Sequence, residues 1–211
     1  MITTGARGAA TLVVMAKEPR LGCVKTRLAA AIGEQAALAI YEHLLRITAA
    51  AARAWRGPVV LAVDGDPDAF AGGAGGDFAA AERVRQPAGG LGPRIAAALQ
   101  AGLARGGAVV VIGSDCPGLT VAALHDVAAL LDRHPVAFGP ATDGGFWSIA
   151  TRDPRTAAVI GSAAIPWSSP ATLGAARDAL AAADLTAALG TVLADCDTHD
   201  DLRAAVAAGL L

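Results

Sequence analysis

Runs of aliphatic residues alternate along this chain with stretches whose apolar positions recur every three or four residues. Thr11 to Ala16, Pro58 to Val63, Arg83 to Gln86, Val109 to Ile112 and Pro135 to Phe138 read as strands. Phe146 to Ala150 and a weaker segment from Leu189 to Leu193 extend the set. From Glu34 to Trp55 the positions Ala37, Ile40, Tyr41, Leu44, Ile47, Ala51 and Trp55 fall on one helical face, which predicts a long amphipathic helix. Further helices are predicted near Leu91–Arg105, Thr120–Arg133 and Pro170–Ala182, and from about Asp200. Strand and helix alternation of this kind predicts an α/β fold, a mostly parallel sheet with helices on both faces. No internal repeat or linker divides the chain, so residues 1–211 are expected to form a single domain. Lys17–Leu28 and the Gly-rich tract from Ala71 to Asp77 read as loops.

Composition narrows the partners. Apolar residues make up 54% of the chain but aromatics only 4%, so the core is expected to rest on close packing of small and aliphatic side chains. A formal charge of -2 argues against nucleic acid or anionic membranes as partners and makes any phosphate site a local one. Lys17 and Glu18 interrupt the first apolar run, and neither a signal peptide nor a membrane span is expected. Cys23, Cys116 and Cys196 show no paired spacing, which suits a reducing, cytoplasmic setting. Each lies inside a candidate motif, as buried filler or as part of a thiol site.

The chemistry concentrates where the patterns break. Val109–Ile112 is bounded by glycine, and Pro117 and Gly118 stop the chain from running on, so Asp115 sits past a strand's carboxyl end. Ligands bind along that edge of open α/β sheets, and an acid there can hold a hard cation against phosphate oxygens. Asp115 equally suits a turn, with Thr120 capping the next helix. Lys17, Arg20, Lys25 and Arg27 fall within a bent segment ahead of the long helix, either a phosphate cradle or a solvated basic loop. It is neither a Walker A loop nor a dinucleotide fingerprint. Near the other terminus, Asp197 is the better partner for Asp115 around Mg2+ or Mn2+, while Thr198, Asp200 and Asp201 suit a helix cap and first turn. Weaker candidates are Asp143 beside Gly144 and Gly145, and Gln86 and Arg94 around Gly89, Gly90 and Gly92 as contacts for a base or phosphate. Pro166–Pro170 reads as a helix entry with Ser169 as cap.

Taken in order, Met15–Pro19, Gly22–Leu28, Gly113–Leu119, Thr142–Phe146, Pro166–Ser169 and Asp195–Thr198 resemble one bacterial family, the radical-SAM/selenodomain-associated glycosyltransferase-like group. That group falls in the nucleotide-diphospho-sugar transferase superfamily and is similar to phospholactate and molybdenum-cofactor guanylyltransferases. The resemblance spans roughly residues 11–203 and implies a Rossmann-like GT-A fold. It further implies that Asp115 and Asp197 hold the metal and that Lys17, Lys25 and Arg27 line the nucleotide phosphates. The chain departs from the group at Gly90, where an acid is usual, and at Phe146, where many members carry Tyr.

The expected activity is metal-dependent transfer from a nucleotide-activated donor. Glycosyl transfer from a nucleoside-diphosphate sugar to a small-molecule acceptor comes first. Nucleotidyl transfer to a phosphorylated acceptor with pyrophosphate release is the alternative, and a non-catalytic nucleotide-binding protein the third. Asp115, Lys25 and Asp143 are the expected catalytic residues. Lys17, Arg27, Gln86 and Arg94 join Lys25 on the nucleotide, and Asp143, Gly144, Gly145 and Trp167 form the acceptor side. A homodimer is left open.

Overall fold

In the computed structural model, which describes residues 9–71, 78 and 81–211, β4 (Val109–Ile112) stands mid-sheet and fully buried. It pairs in parallel with β1 (Thr11–Lys17), which pairs with β2 (Val59–Asp64), which pairs with β3 (Glu82–Arg85). On its other side lies β6 (Phe146–Thr151), antiparallel both to β4 and to β5 (Val136–Pro140). The edge strand β7 (Ala187–Leu189) runs parallel to β5, which completes the order β3-β2-β1-β4-β6-β5-β7. The mostly parallel prediction therefore holds, with β6 reversed because β5 and β6 form a hairpin rather than a crossover.

Helices cover both faces, and β1 shows why its sequence is apolar throughout. Leu12, Val14 and Ala16 point into a core shared with Tyr41, Leu45 and Leu124 from α2 (Glu34–Ala54) and α4 (Val121–Leu130). Val13 points the opposite way, into a core shared with Leu99, Ile160 and Leu180. Those residues come from α3 (Leu91–Leu103), α5 (Arg155–Ser162) and α6 (Thr172–Ala181). Alternating side chains on a strand covered twice must both be apolar.

Several boundaries differ from the sequence expectation. The basic segment does not remain a loop: α1 (Thr26–Ile32) starts at Thr26, favoured by its Ala-rich run and ended at Gly33. The short helix α5 was not predicted, although Pro154 just ahead of it is a helix-start residue. The last strand is displaced to Ala187–Leu189, and Leu193 makes only an isolated bridge to Ala141. Helix α6 starts at Thr172 rather than Pro170, because Ser169 Oγ accepts the Ala171 N–H in a turn ahead of it. Both predicted threonine caps are present. Thr120 Oγ1 accepts from Ala123, and Thr198 forms a capping box with Asp201 at the start of α7 (His199–Ala207). Of the predicted Gly-rich loop Ala71–Asp77, Ala71 instead ends a short 3-10 helix (Pro67–Ala71), and residues 72–77 lie outside the described residues.

Candidate active site

The carboxyl ends of β1, β2, β3 and β4 open onto one rim of the sheet, and the reversal of β6 brings its first residue to that same rim. A cleft of about 450 Å³ runs along it. Lys17, Lys25, Arg27, Gln86 and Arg94 line it, as do Asp115, Asp143, Gly145, Trp167 and Asp197. Of the residues expected from sequence, Gly144 is not among the lining residues. It adopts φ +89, and a Cβ there would stand 2.3 Å from the Pro170 carbonyl oxygen, so its role is to seat the turn against the α6 entry. Arg20, also in the basic segment, is exposed, and its Nε donates to Cys23 Sγ.

At the centre are three charges from three parts of the chain. Lys25 Nζ donates to Asp197 Oδ1 at 2.7 Å and forms an ion pair with Asp115. The lysine side chain is 4% exposed, whereas the two carboxylates are 43% and 50% exposed, so the acids keep open faces toward the cleft. Two local features produce this meeting. Lys25 adopts the left-handed conformation at the N-cap of α1, which is uncommon for a non-glycine residue. The Cys196 N–H donates to the Asp115 carbonyl oxygen at 3.0 Å, which ties the segment after β4 to the segment before α7. Burial lowers the affinity of Lys25 for its proton, but the two acids together outweigh it and hold the ammonium well above the ordinary lysine range.

Around this centre lie residues that the sequence reading did not assign. Tyr41, from α2, accepts the Lys17 N–H at 2.8 Å and donates to the Lys17 carbonyl at 2.9 Å, with Ser114 Oγ 3.5 Å away. Burial first, and then Asp115, push its phenol up to about 12. Asp195 accepts a hydrogen bond from the Cys116 thiol at 2.9 Å. Burial raises its carboxyl to about 6; the thiol bond opposes this, and Asp115, Asp143 and Asp197 add to it. The thiol of Cys116 is itself held high by burial and by Asp195. Tyr41 gave a signal in sequence as the chain's one tyrosine on a buried helix face, but nothing marked its partner.

The nucleotide-side candidates are anchored. Gln86 Nε2 donates to the Ala62 carbonyl at 2.8 Å and to the Ala16 carbonyl at 3.4 Å. Arg94 pairs with Asp64, and its Nε donates to the Gly89 carbonyl at 3.0 Å. On the other side, Asp143 is exposed, and its Oδ1 accepts the Gly145 N–H at 2.8 Å. Behind Trp167 stands Gly92, where a Cβ would come within 3.1 Å of the indole ring.

Solved structures repeat this architecture. A protein from Desulfovibrio desulfuricans G20, provisionally called a nucleotide-diphospho-sugar transferase, superposes with a TM-score of 0.81 at 24% identity, over 92% of this chain and 85% of that one. The 4-diphosphocytidyl-2C-methyl-D-erythritol synthase from Anaerococcus prevotii DSM 20548 superposes with a TM-score of 0.61 at 9% identity, over 97% and 99% of the two chains. Rv0371C from Mycobacterium tuberculosis H37Rv, solved in complex with manganese, gives 0.52 at 15% identity, over 92% and 97%. These likenesses establish the fold as GT-A-like. No curated protein matches the sequence significantly. Residues 47–169, more than half of the chain and including Asp115, Asp143 and Trp167, match the model of a family described as uncharacterized proteins conserved in bacteria, and the chain belongs to that family, DUF2064.

Proposed function

We propose that this protein is a transferase that takes a nucleotide-activated donor in the cleft, its reaction being glycosyl transfer from a nucleoside-diphosphate sugar to a small-molecule acceptor. The observation that carries the reading is the convergence of Asp115 and Asp197 on Lys25 Nζ, in a cleft also lined by Lys17 and Arg27. The motif order that resembles the radical-SAM/selenodomain-associated group supports the same reading.

The residues suit a divalent ion. Asp115 and Asp197 each turn Oδ1 to Lys25 and are about half exposed, so their remaining hard carboxylate oxygens are available to an ion beside the lysine. Among the described residues no cluster of three or more His, Cys, Asp or Glu side chains forms a self-sufficient metal site, so an ion held by these two acids would need water or phosphate oxygens as well, as is usual for Mg2+. Bound by those oxygens, Mg2+ or Mn2+ would supply charge neutralisation to the diphosphate.

The chain's own groups do the rest. Lys17 and Arg27 bind phosphate oxygens by charge. Lys25 keeps the two acids from repelling each other and has a third N–H for a phosphate. Asp143 takes the proton of the acceptor hydroxyl as that oxygen bonds to the sugar's anomeric carbon. The bond from that carbon to the diphosphate oxygen breaks, and the diphosphate leaves with its electron pair.

Nucleotidyl transfer is the second reading, favoured by four cations, Lys17, Lys25, Arg27 and Arg94, along the nucleotide side. The products separate the two, since sugar transfer releases a nucleoside diphosphate and nucleotidyl transfer releases pyrophosphate. A thermal-shift screen of nucleotides and sugar nucleotides with and without Mg2+ or Mn2+ tests the shared premise. A ligand at a hundred times its Kd stabilises by about 2.7 kcal/mol. Asp115→Asn is expected to remove the metal-dependent part of that shift. An unchanged metal response in the variant refutes the ligand role.

A further inference from the structure

The cleft is chemically divided along the sheet. Over β1, β2 and β3 it is lined by Lys17, Lys25, Arg27, Asp64, Gln86 and Arg94. Over the β5–β6 turn and the entry to α6 it is lined by Asp143, Gly145, Phe146, Trp167, Ser168 and Ser169. Among the described lining residues every Lys and Arg belongs to the first half, and the ionisable group of the second is Asp143. Asp195 lines the cleft as well, where it accepts the Cys116 thiol hydrogen bond. Of the cations, Lys25 is paired with Asp115 and Asp197, and Arg94 with Asp64, while the charge that the second half itself carries is a carboxylate.

What that half offers instead is a fixed apolar shelf. The Phe146 ring stands 4.9 Å from Phe138 and 6.2 Å, edge to face, from Trp167. Phe146 and Trp167 are both partly exposed. Trp167 is backed by Gly92 and followed by Ser168 at φ +57, a left-handed serine whose cost is typical of residues held for a site. Ser148, on the floor, carries a buried hydroxyl with no hydrogen-bond partner among the described residues, and a buried polar atom of this kind calls for a bound hydroxyl or water.

Resting on the transferase reading of this cleft, we infer that its acceptor is a hydroxylated ring compound bearing no phosphate or carboxylate. The acceptor lays an apolar ring face on Phe146 and Trp167 and presents a hydroxyl to Asp143. Hydrogen-bonding capacity and aromatic surface are matched there, while anionic charge is rejected. The assignment also separates the two transfer chemistries, because nucleotidyl transfer to a phosphorylated acceptor needs cations where Asp143 stands.

The test is ligand-observed NMR and calorimetric titration of the full chain with matched pairs: neutral aryl glycosides and cyclic polyols against their own phosphate esters. Neutral members are expected to bind at least about tenfold more tightly than their esters, a gap easily resolved in Kd. Trp167→Ala should weaken the neutral members, and the exposed Asp143→Lys should shrink or reverse the gap. Tighter binding of the esters to the native protein, or no neutral compound whose binding Trp167→Ala weakens, overturns the inference. Nucleoside diphosphates with Mn2+, titrated in parallel, report on the other half. Their failure to bind overturns the transferase reading and the inference with it, while intact nucleotide binding with preferred esters overturns the acceptor assignment alone.

Discussion

Lys25 Nζ and Asp197 Oδ1 lie 2.7 Å apart although 172 residues separate them in the chain. The lysine thus performs two tasks. It joins the first helix to the segment before the last one, and it supplies the counter-charge that lets the two acids lie close together.

Lys25→Met is expected to leave Asp115 and Asp197 facing one another without a counter-charge. Breaking a buried ion pair costs several kcal/mol, but both acids are partly solvated, so the expected loss is about 1–2 kcal/mol in urea unfolding. Mn2+ should recover more stability in the variant than in the native protein, because two acids without their lysine gain more from a bound cation. A variant indifferent to Mn2+ would show that the acids do not form a cation site.

Tyr41→Phe removes the one hydroxyl that binds both backbone groups of Lys17. Hydrogen bonds of this kind contribute about 0.5–1.5 kcal/mol each, and the variant should lose about 1–2 kcal/mol. The nucleotide Kd should rise more than the acceptor Kd, since Tyr41 holds Lys17, which the proposed function sets on the nucleotide. Equal losses on both ligands would mean a general structural role.

Asp195 gives the metal-free protein a pH dependence with a defined sign. Its carboxyl is raised from 3.8 to about 6, so the folded state holds that proton more tightly than the unfolded chain does. The stabilisation is complete below about pH 4 and is lost as pH rises through about 6. In EDTA, Tm measured across this window should fall with a contribution that Asp195→Asn removes. A variant with the native pH profile would refute the assignment.

Thr198→Ala takes away half of the α7 capping box, in which Asp201 reaches back to the Thr198 N–H at 2.7 Å. The expected cost is about 1 kcal/mol, seen as a Tm lowered by about 2–4 °C. The same change should loosen Asp197, whose N–H also donates to Asp201, and so weaken the metal-dependent thermal shift.

The sheet and its rim could be read from the sequence because periodicity and strand-end breaks are local. Val109–Ile112 followed by Gly and Pro places Asp115 without any tertiary information. The pairing of Asp115 with Asp197 was inferred from chemical type, and the structure brings them together through the Cys196 N–H. What could not be read depends on distant partners. Nothing local announces that Lys25 turns left-handed to reach two acids, that Tyr41 clasps Lys17, or that Asp195 is buried against Cys116. Gly144 looked like a ligand contact because close approach was correctly expected, but the approaching group is the Pro170 backbone.

The antiparallel course of β6 has a consequence for how such a protein can diversify. The hairpin from β5 to β6 holds to the α6 entry by the Leu173 N–H on the Gly144 carbonyl, so these two pieces form one connected block. That block carries Asp143, Phe146 and Trp167 and none of the phosphate-side cations. On the proposed function, exchanging it between relatives would graft a new acceptor preference onto an unaltered nucleotide platform, as one interchangeable cassette.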